Sequence, residues 1–286
     1  MDNIVKNIRR VGKVCGYQMA LQFHEARTRA VFLILFLYLW GILSPVKEFA
    51  AVIDQQLSPW FFVVLMNDTV CSMIVFCLWC FLICDAPFRN DSYLYYAGRA
   101  GKMGWIWGEI LFLFVFSGVF LLAVYIFTVI LSIPRLDVTL EWGKVLGTLA
   151  YTDASFQFPV PVSFPVTVMS GIAPPKAALI SFLLAWLAVF LLGMSVLFFN
   201  WCFRSSLGAA AGLFWIFLDI TAENILDHRW LRFSPVSLSR LSNLMGRYQY
   251  LTPVWVLAFS GGILLLLTAV ICVVTRRRKG MEGWEL

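Results

Sequence analysis

Histidine is almost absent from this chain, and the two that occur, His24 and His228, are separated by most of its apolar runs. They are not expected to share a site. Metal chemistry of the His-Glu-x-x-His kind and imidazole-based triads are therefore missing, and no Gly-x-Ser-x-Gly elbow is present. Gly101-Lys102 ends like a phosphate-binding loop, but Tyr96 stands where that loop needs its first glycine and Met103 where it needs Ser or Thr. With no catalytic, cofactor-binding or metal constellation, the chain is not expected to be an enzyme by itself.

Charge is scarce as well. Charged residues make up 13% of the 286 and apolar residues 61%, with a mean hydropathy of +0.83. Soluble domains run nearer about 25% charged and 45–50% apolar. That balance excludes a sizeable soluble domain and gives an integral membrane protein. The net charge of +6 does not point to a nucleic-acid partner, because the basic residues sit beside apolar runs, which is the signature of membrane topology.

Outer-loop cysteine is lacking too. Cys71, Cys77, Cys80, Cys84, Cys202 and Cys272 lie in or beside apolar runs and Cys15 lies near the N-terminus, so no disulfide framework is expected. Cys77, Cys80 and Cys84 share a helical face, as a thiolate metal site requires. With no fourth ligand in reach, they read as small buried hydrophobes.

What the chain does have is a series of apolar runs, and about twenty apolar residues are enough to cross a bilayer. The runs predict an all-α integral membrane protein with a transmembrane domain over 30–275. Its six transmembrane helices are Ala30–Ser44, Pro59–Cys84, Gly104–Ile133, Ala177–Phe199, Leu207–Ile220 and Pro253–Thr275. Trp60, Trp105, Trp107, Trp201 and Trp255 fall near span ends, as an aromatic belt requires. Residues 1–29 form a basic amphipathic helix: Ile4, Val5, Ile8, Val11, Cys15 and Met19 share one face, and Lys6, Arg9, Arg10 and Lys13 the other. That pattern predicts a helix lying in the membrane interface, against anionic lipid.

Orientation follows from Lys and Arg. With the N-terminus inside, fourteen of the 22 basic residues fall in inner segments, including the Arg276-Arg277-Arg278-Lys279 run beside the last span, and eight fall outside in longer loops. Both termini, the basic tail 276–286 and the polar, glycine-punctuated loop 85–109 are therefore expected to be cytoplasmic, and the loops 134–176 and 221–252 outside.

The outer loops differ in kind. Prolines at 134, 159, 161, 165, 174 and 175 predict extended or re-entrant backbone with no regular helix in the first. In the second, Ser234-Pro235 has the serine cap and first-turn proline of a helix start, and Leu238, Leu241 and Met245 follow at helical spacing. Two acids lie in the spans. Asp68, flanked by Asn67 and Thr69, stands about 13 Å along the second span from its outer end, and Asp219 stands towards the outer end of the fifth. They are candidates for a translocation path; the alternative is that Asp68 is hydrogen-bonded within the bundle and Asp219 interfacial. Gly208 and Gly212 permit a close helix contact, within the chain or with a second copy.

In layout the chain resembles the permease subunits of ABC-2-type ABC transporters along essentially its whole length. The shared features are an inner amphipathic helix, six spans with both ends inside, a polar loop between spans two and three, and an outer re-entrant segment before span six. The stretches APFRNDSYLYYAGRAGKMGWIWGEIL and RFSPVSLSRLSNL are similar to permease-like membrane proteins of Gram-positive bacteria. The resemblance implies a multi-pass protein of the bacterial cytoplasmic membrane that exports a substrate. It further implies a dimer with a second permease copy or paralogue, driven by a separate ATP-binding cassette subunit. A coupling helix in the inner loop would dock on that subunit through Phe88, Arg89, Tyr93, Tyr96 and Arg99, with Tyr95 directed elsewhere. Independently, Asn90 and Asp91 can cap a helix over Ser92–Ala97 and Gly98 can end it. The alternative is a non-transporting membrane scaffold or immunity-type partner.

Overall fold

The computed structural model describes the backbone of residues 2–88, 93–152, 154, 158–203, 207–247 and 251–277, and their side chains except at 2–6, 93, 94, 96 and 247. Among the described residues the elements are helical, with one isolated bridge between Leu57 and Leu136. In chain order they are α1 (Asp2–His24), α2 (Ala26–Val52), α3 (Phe61–Asn67), α4 (Thr69–Ile83), α5 (Tyr93–Ala100), α6 (Lys102–Ser132), α7 (Gly143–Tyr151), α8 (Val166–Gly171), α9 (Pro174–Phe203) and α10 (Leu207–Asn224). A 3-10 turn (His228–Phe233), α11 (Pro235–Leu238), a π turn (Asn243–Arg247) and α12 (Pro253–Arg277) complete the chain.

Four of these helices, α2, α6, α9 and α12, are long and apolar enough to cross a membrane, against the six expected. The second apolar run makes a fifth only if its two pieces count together, because α3 and α4 meet at 87°. The bend is written in Asn67-Asp68-Thr69. Asp68 takes an extended backbone (φ −79°, ψ 133°), and its side chain accepts from the Cys71 N–H at 2.8 Å, capping α4. The Asn67 side chain donates to the Val63 carbonyl at 2.7 Å and closes α3. Short polar side chains that bond their own backbone stop one helix and start another even within an apolar run. The fifth expected span is α10, 18 residues long, whose outer two turns carry Asp219 and Glu223.

The bundle is organised around α6, a 31-residue rod about 46 Å long. Trp79 of α4 packs on its Phe116 and Phe120 with centroids 5.6 and 5.3 Å apart. On another side α1 and then α2 follow it in the same direction: Val14 meets Gly108, Phe23 meets Phe116, Phe32 meets Phe120, and Phe36 meets Phe127. The N-terminal segment is thus not one interfacial helix over 1–29. It breaks at Glu25, and from Val14 onward it runs along α6. Its packed face is also shifted from the predicted one. Ile8 is 67% exposed, while Val14, Cys15, Gln18 and Gln22 are buried. Gln18 is tolerated there because it donates to the buried Glu109 of α6 and to the Phe88 carbonyl, and the Gln22 side-chain oxygen accepts from the Thr28 hydroxyl at 3.3 Å.

Among the described residues the proline-rich loop holds two short helices where none was expected, since both are proline-free and lie either side of Pro159, Pro161 and Pro165. Residues 143–151 precede them and form α7, and Pro165 stands at the N-cap of α8. Gly208 and Gly212 make contacts within the chain, Gly208 against Asn200 and Val196 and Gly212 against Cys80 and Val196.

Gly108 tests the α1–α6 seam, since any Cβ there would collide with the Val14 side chain. G108V should lower stability in detergent by about 1–3 kcal/mol, the usual range for overpacking. G12A on α1, where a Cβ meets nothing within 4 Å, should be neutral or slightly stabilising. Equal stability of the two variants would mean that α1 does not lie on α6.

Candidate functional site

A buried polar core fills the half of the bundle away from α5, where the bend at Asp68 meets two segments that enter from the loops. Its height follows from two independent helix counts. Asn200 pins the opposite end: its amide donates to the Cys84 and Ala86 carbonyls at 2.7 and 2.8 Å, and its oxygen accepts from the Gly208 N–H at 2.8 Å. Thr69 is fifteen residues back from Cys84 and Glu223 is fifteen residues on from Gly208. Both therefore stand about 23 Å from that end at 1.5 Å per residue. They meet, with the Thr69 hydroxyl donating to Glu223 at 3.0 Å. Asp219, one turn lower, stands about 17 Å up.

Three contacts hold the core together. Arg240 enters from the segment after α11 and is bonded to Asp219 by one guanidinium nitrogen and to Glu223, at 3.0 Å, by the other. The side chains of Arg240 and Asp219 are each 1% exposed and that of Glu223 16%. Asp68 uses one oxygen to cap α4 and the other to accept from the Ser163 N–H and hydroxyl at 3.0 and 2.7 Å, which ties the proline-rich loop to the bend. Asn67 accepts from the Ser242 N–H at 2.7 Å. The segment carrying Arg240 and Ser242 is itself locally braced. Ser234 caps α11 as the Ser-Pro pair predicts, accepting from the Ser237 N–H at 3.3 Å, and Asn243 donates to the Ser237 carbonyl at 3.1 Å.

Above this core lies a cleft of about 370 Å³ lined by Asn67, Ser163, Thr167, Ser242 and Met245 among others. Its walls offer hydroxyl, amide and apolar groups and no ionised side chain, because Asp68, Asp219, Glu223 and Arg240 are engaged beneath it. The arrangement can hold an uncharged polar or apolar group.

Asp68 and Asp219, the two candidates for a translocation path, are brought to the same core with different partners: Asp68 fastens a loop and Asp219 neutralises an arginine. Neither lines the cleft. Arg240 and Glu223 are the members that sequence reasoning missed. The available signal was a lone arginine in the otherwise uncharged run SPVSLSRLSNL, directly after a strong helix start.

The proposed docking residues are dispersed. Phe88 is 5% exposed and packs on Phe112 at 5.7 Å, so it is part of the core and is withdrawn as a docking residue. Arg89 lies outside the described residues, as do Asn90, Asp91 and Ser92. Tyr93 and Tyr96 lie on α5, their side chains outside the described set. Arg99 is exposed and donates to the Tyr95 phenol oxygen at 2.6 Å. The helix also ends later than predicted. Gly98 lies inside α5, and it is Gly101, at φ +76°, that turns the chain into α6, because glycine takes that backbone without strain. Among the described residues no three His, Cys, Asp or Glu side chains are placed to hold a metal ion. Cys80 packs beneath Gly212, and the Cys84 sulfur accepts from Arg27 at 3.0 Å.

Removing one partner of a buried ion pair strands the others, at a cost of about 3–5 kcal/mol. R240M should therefore destabilise the protein in detergent by about that much, and adding D219N and E223Q should recover most of the loss. Wild-type stability of R240M alone would show that water already reaches Asp219 and Glu223.

Compared with known proteins, the chain matches no family model, no curated protein and no solved structure.

Proposed function

We propose that this chain is the membrane-spanning permease subunit of an ABC-2-type exporter in the bacterial cytoplasmic membrane. In this reading it works as a dimer, with ATP hydrolysis supplied by a separate ATP-binding cassette subunit. The observation that carries the transport reading is the buried Asp219–Arg240–Glu223 network beside a broken apolar run. Ionisable residues in hydrocarbon cost several kcal/mol each and mark substrate or ion pathways. A scaffold that only binds a neighbour has no use for them.

The division of the molecule into two ends supports a motor at one and a gate at the other. The short helix α5 packs on α1 and α6 and is joined to α6 through Gly101 alone. From there α6 runs as one rod to the outer half, where Tyr125 packs edge-on against Phe62 of α3 at 5.4 Å. A push on α5 is delivered by this rod to the bend at Asp68. Parting the Asp68–Ser163 and Asn67–Ser242 contacts then opens the cleft outward.

A second reading, an ion-coupled secondary transporter, is favoured by the discontinuous span and the paired carboxylates, since such transporters build their sites at broken helices. Tyr93 and Tyr96 separate the two. Aromatic anchors are worth about 2 kcal/mol or more each at interfaces, so Y93A/Y96A should weaken capture of the ATP-binding subunit roughly 30-fold per residue removed, on the order of 1,000-fold together. Vanadate-sensitive ATP hydrolysis should co-purify with the wild type and fall in the variant, while membrane levels stay unchanged. No co-purifying ATPase activity in the wild type, with a proton or sodium gradient collapsing on its reconstitution, would replace the proposal with the second reading.

A further inference from the structure

The end of the bundle that carries α5 also holds a cleft that the transport reading leaves unused. It lies between α1 and α5, measures about 530 Å³, and is lined by Arg10, Lys13, Val14, Tyr95, Arg99 and Ala100. Arg10 and Lys13 stand one turn apart on α1 and are exposed. Arg99 faces them from α5, donating to the Tyr95 phenol oxygen at 2.6 Å with its guanidinium 5.4 Å from that ring. Three cations from two separate helices thus converge on one concavity.

No carboxylate of the described residues lines the cleft. The one carboxylate described on α1, α5 or the first two turns of α6 is Glu109, which is buried and bonded to Gln18. Like charges on neighbouring helical positions repel, and an anion between them relieves that repulsion. Oxygen-rich anions suit the donor set, because guanidinium, ammonium and phenol together present hydrogen-bond donors in several directions. The remaining lining, Val14 and Ala100, is apolar, so the ligand that fits has a charged head and an apolar root.

Position narrows the ligand further. Val14 sits against Gly108, six residues and about 9 Å into α6. Trp107, 44% exposed, stands at the same level, where interfacial tryptophans belong. The cleft therefore opens at headgroup height on the side that the Lys and Arg distribution assigns to the cytoplasm.

We infer that the α1–α5 cleft binds a phosphate ester through Arg10, Lys13, Arg99 and the Tyr95 hydroxyl, presented by an anionic phospholipid of the inner leaflet. The site is independent of the transport reading and stands or falls by itself. Native mass spectrometry of the detergent-purified chain, titrated with phosphatidylglycerol or phosphatidylcholine, tests it. The wild type should retain phosphatidylglycerol in preference to phosphatidylcholine; equal retention overturns the site. The triple variant R10Q/K13Q/R99Q should bind phosphatidylglycerol on the order of 100-fold more weakly, each basic residue near the surface contributing about fivefold. Unchanged binding by that variant also overturns the site. R9Q and R29Q remove exposed charges outside the cleft and should leave binding within about twofold of wild type. A loss like that of the cleft variants would mean diffuse attraction and no site. Displacement of the lipid by millimolar sn-glycerol 1-phosphate would leave the phosphate ester but overturn its assignment to a lipid.

Discussion

A backbone that leaves helical geometry inside a membrane must find other hydrogen bonds, because hydrocarbon supplies none. Asp68 meets that demand for this chain. It ends α3, begins α4 and anchors the proline-rich loop with one carboxylate, one oxygen going to the α4 cap and the other to the backbone and hydroxyl of Ser163. Hydrogen bonds to a charged group contribute about 1.5–3 kcal/mol each, so these bonds secure the bend. Every residue of α3 is buried as a result. The second apolar run turns sideways at the end of the bundle away from α5 where a straight helix would have continued.

That geometry gives the two halves of the molecule different mechanics. Towards the α5 end the helices are continuous and tightly seated, with Gly212 against Cys80 and aromatic stacks along α6. In the outer half, α3, the 158–166 loop and the 228–247 segment meet through polar contacts: Asp68 with Ser163, Asn67 with Ser242, Arg240 with Asp219 and Glu223. Asn67, Ser163 and Ser242 of these contacts line a cleft, where water can replace the protein hydrogen bonds as they part. Under the proposed function the outer half is therefore the part that opens. The 31-residue α6 links it to the end where a motor would push.

Much of this was legible in the sequence. Composition gives the helical membrane class, the apolar runs place α6, α9 and α12 within a few residues and α2 up to eight residues short at its end, and Ser234-Pro235 marks the start of α11. The bend was hidden because apolarity measures length and not direction. Asn67-Asp68-Thr69 carried the capping signal, but within 26 apolar-run residues it read as a polar inclusion in a straight helix. Arg240 was hidden for the opposite reason: counted with the outer-loop cations, it gave no sign that its segment folds back to membrane depth. Its partners lie 17 and 21 residues earlier in the chain. On α1 the periodicity located a helix, but the packed face turned on Gly108, a residue of another element.

The central claim is that the outer polar contacts must part for the protein to work. A disulfide between N67C and S242C, at the contact where the Ser242 N–H now reaches the Asn67 side chain at 2.7 Å, holds that seam shut. The account predicts that oxidised N67C/S242C loses the vanadate-sensitive ATP hydrolysis of the co-purified complex and regains it on reduction, while either single variant keeps it in both states. Full hydrolysis in a preparation shown to be cross-linked would contradict it.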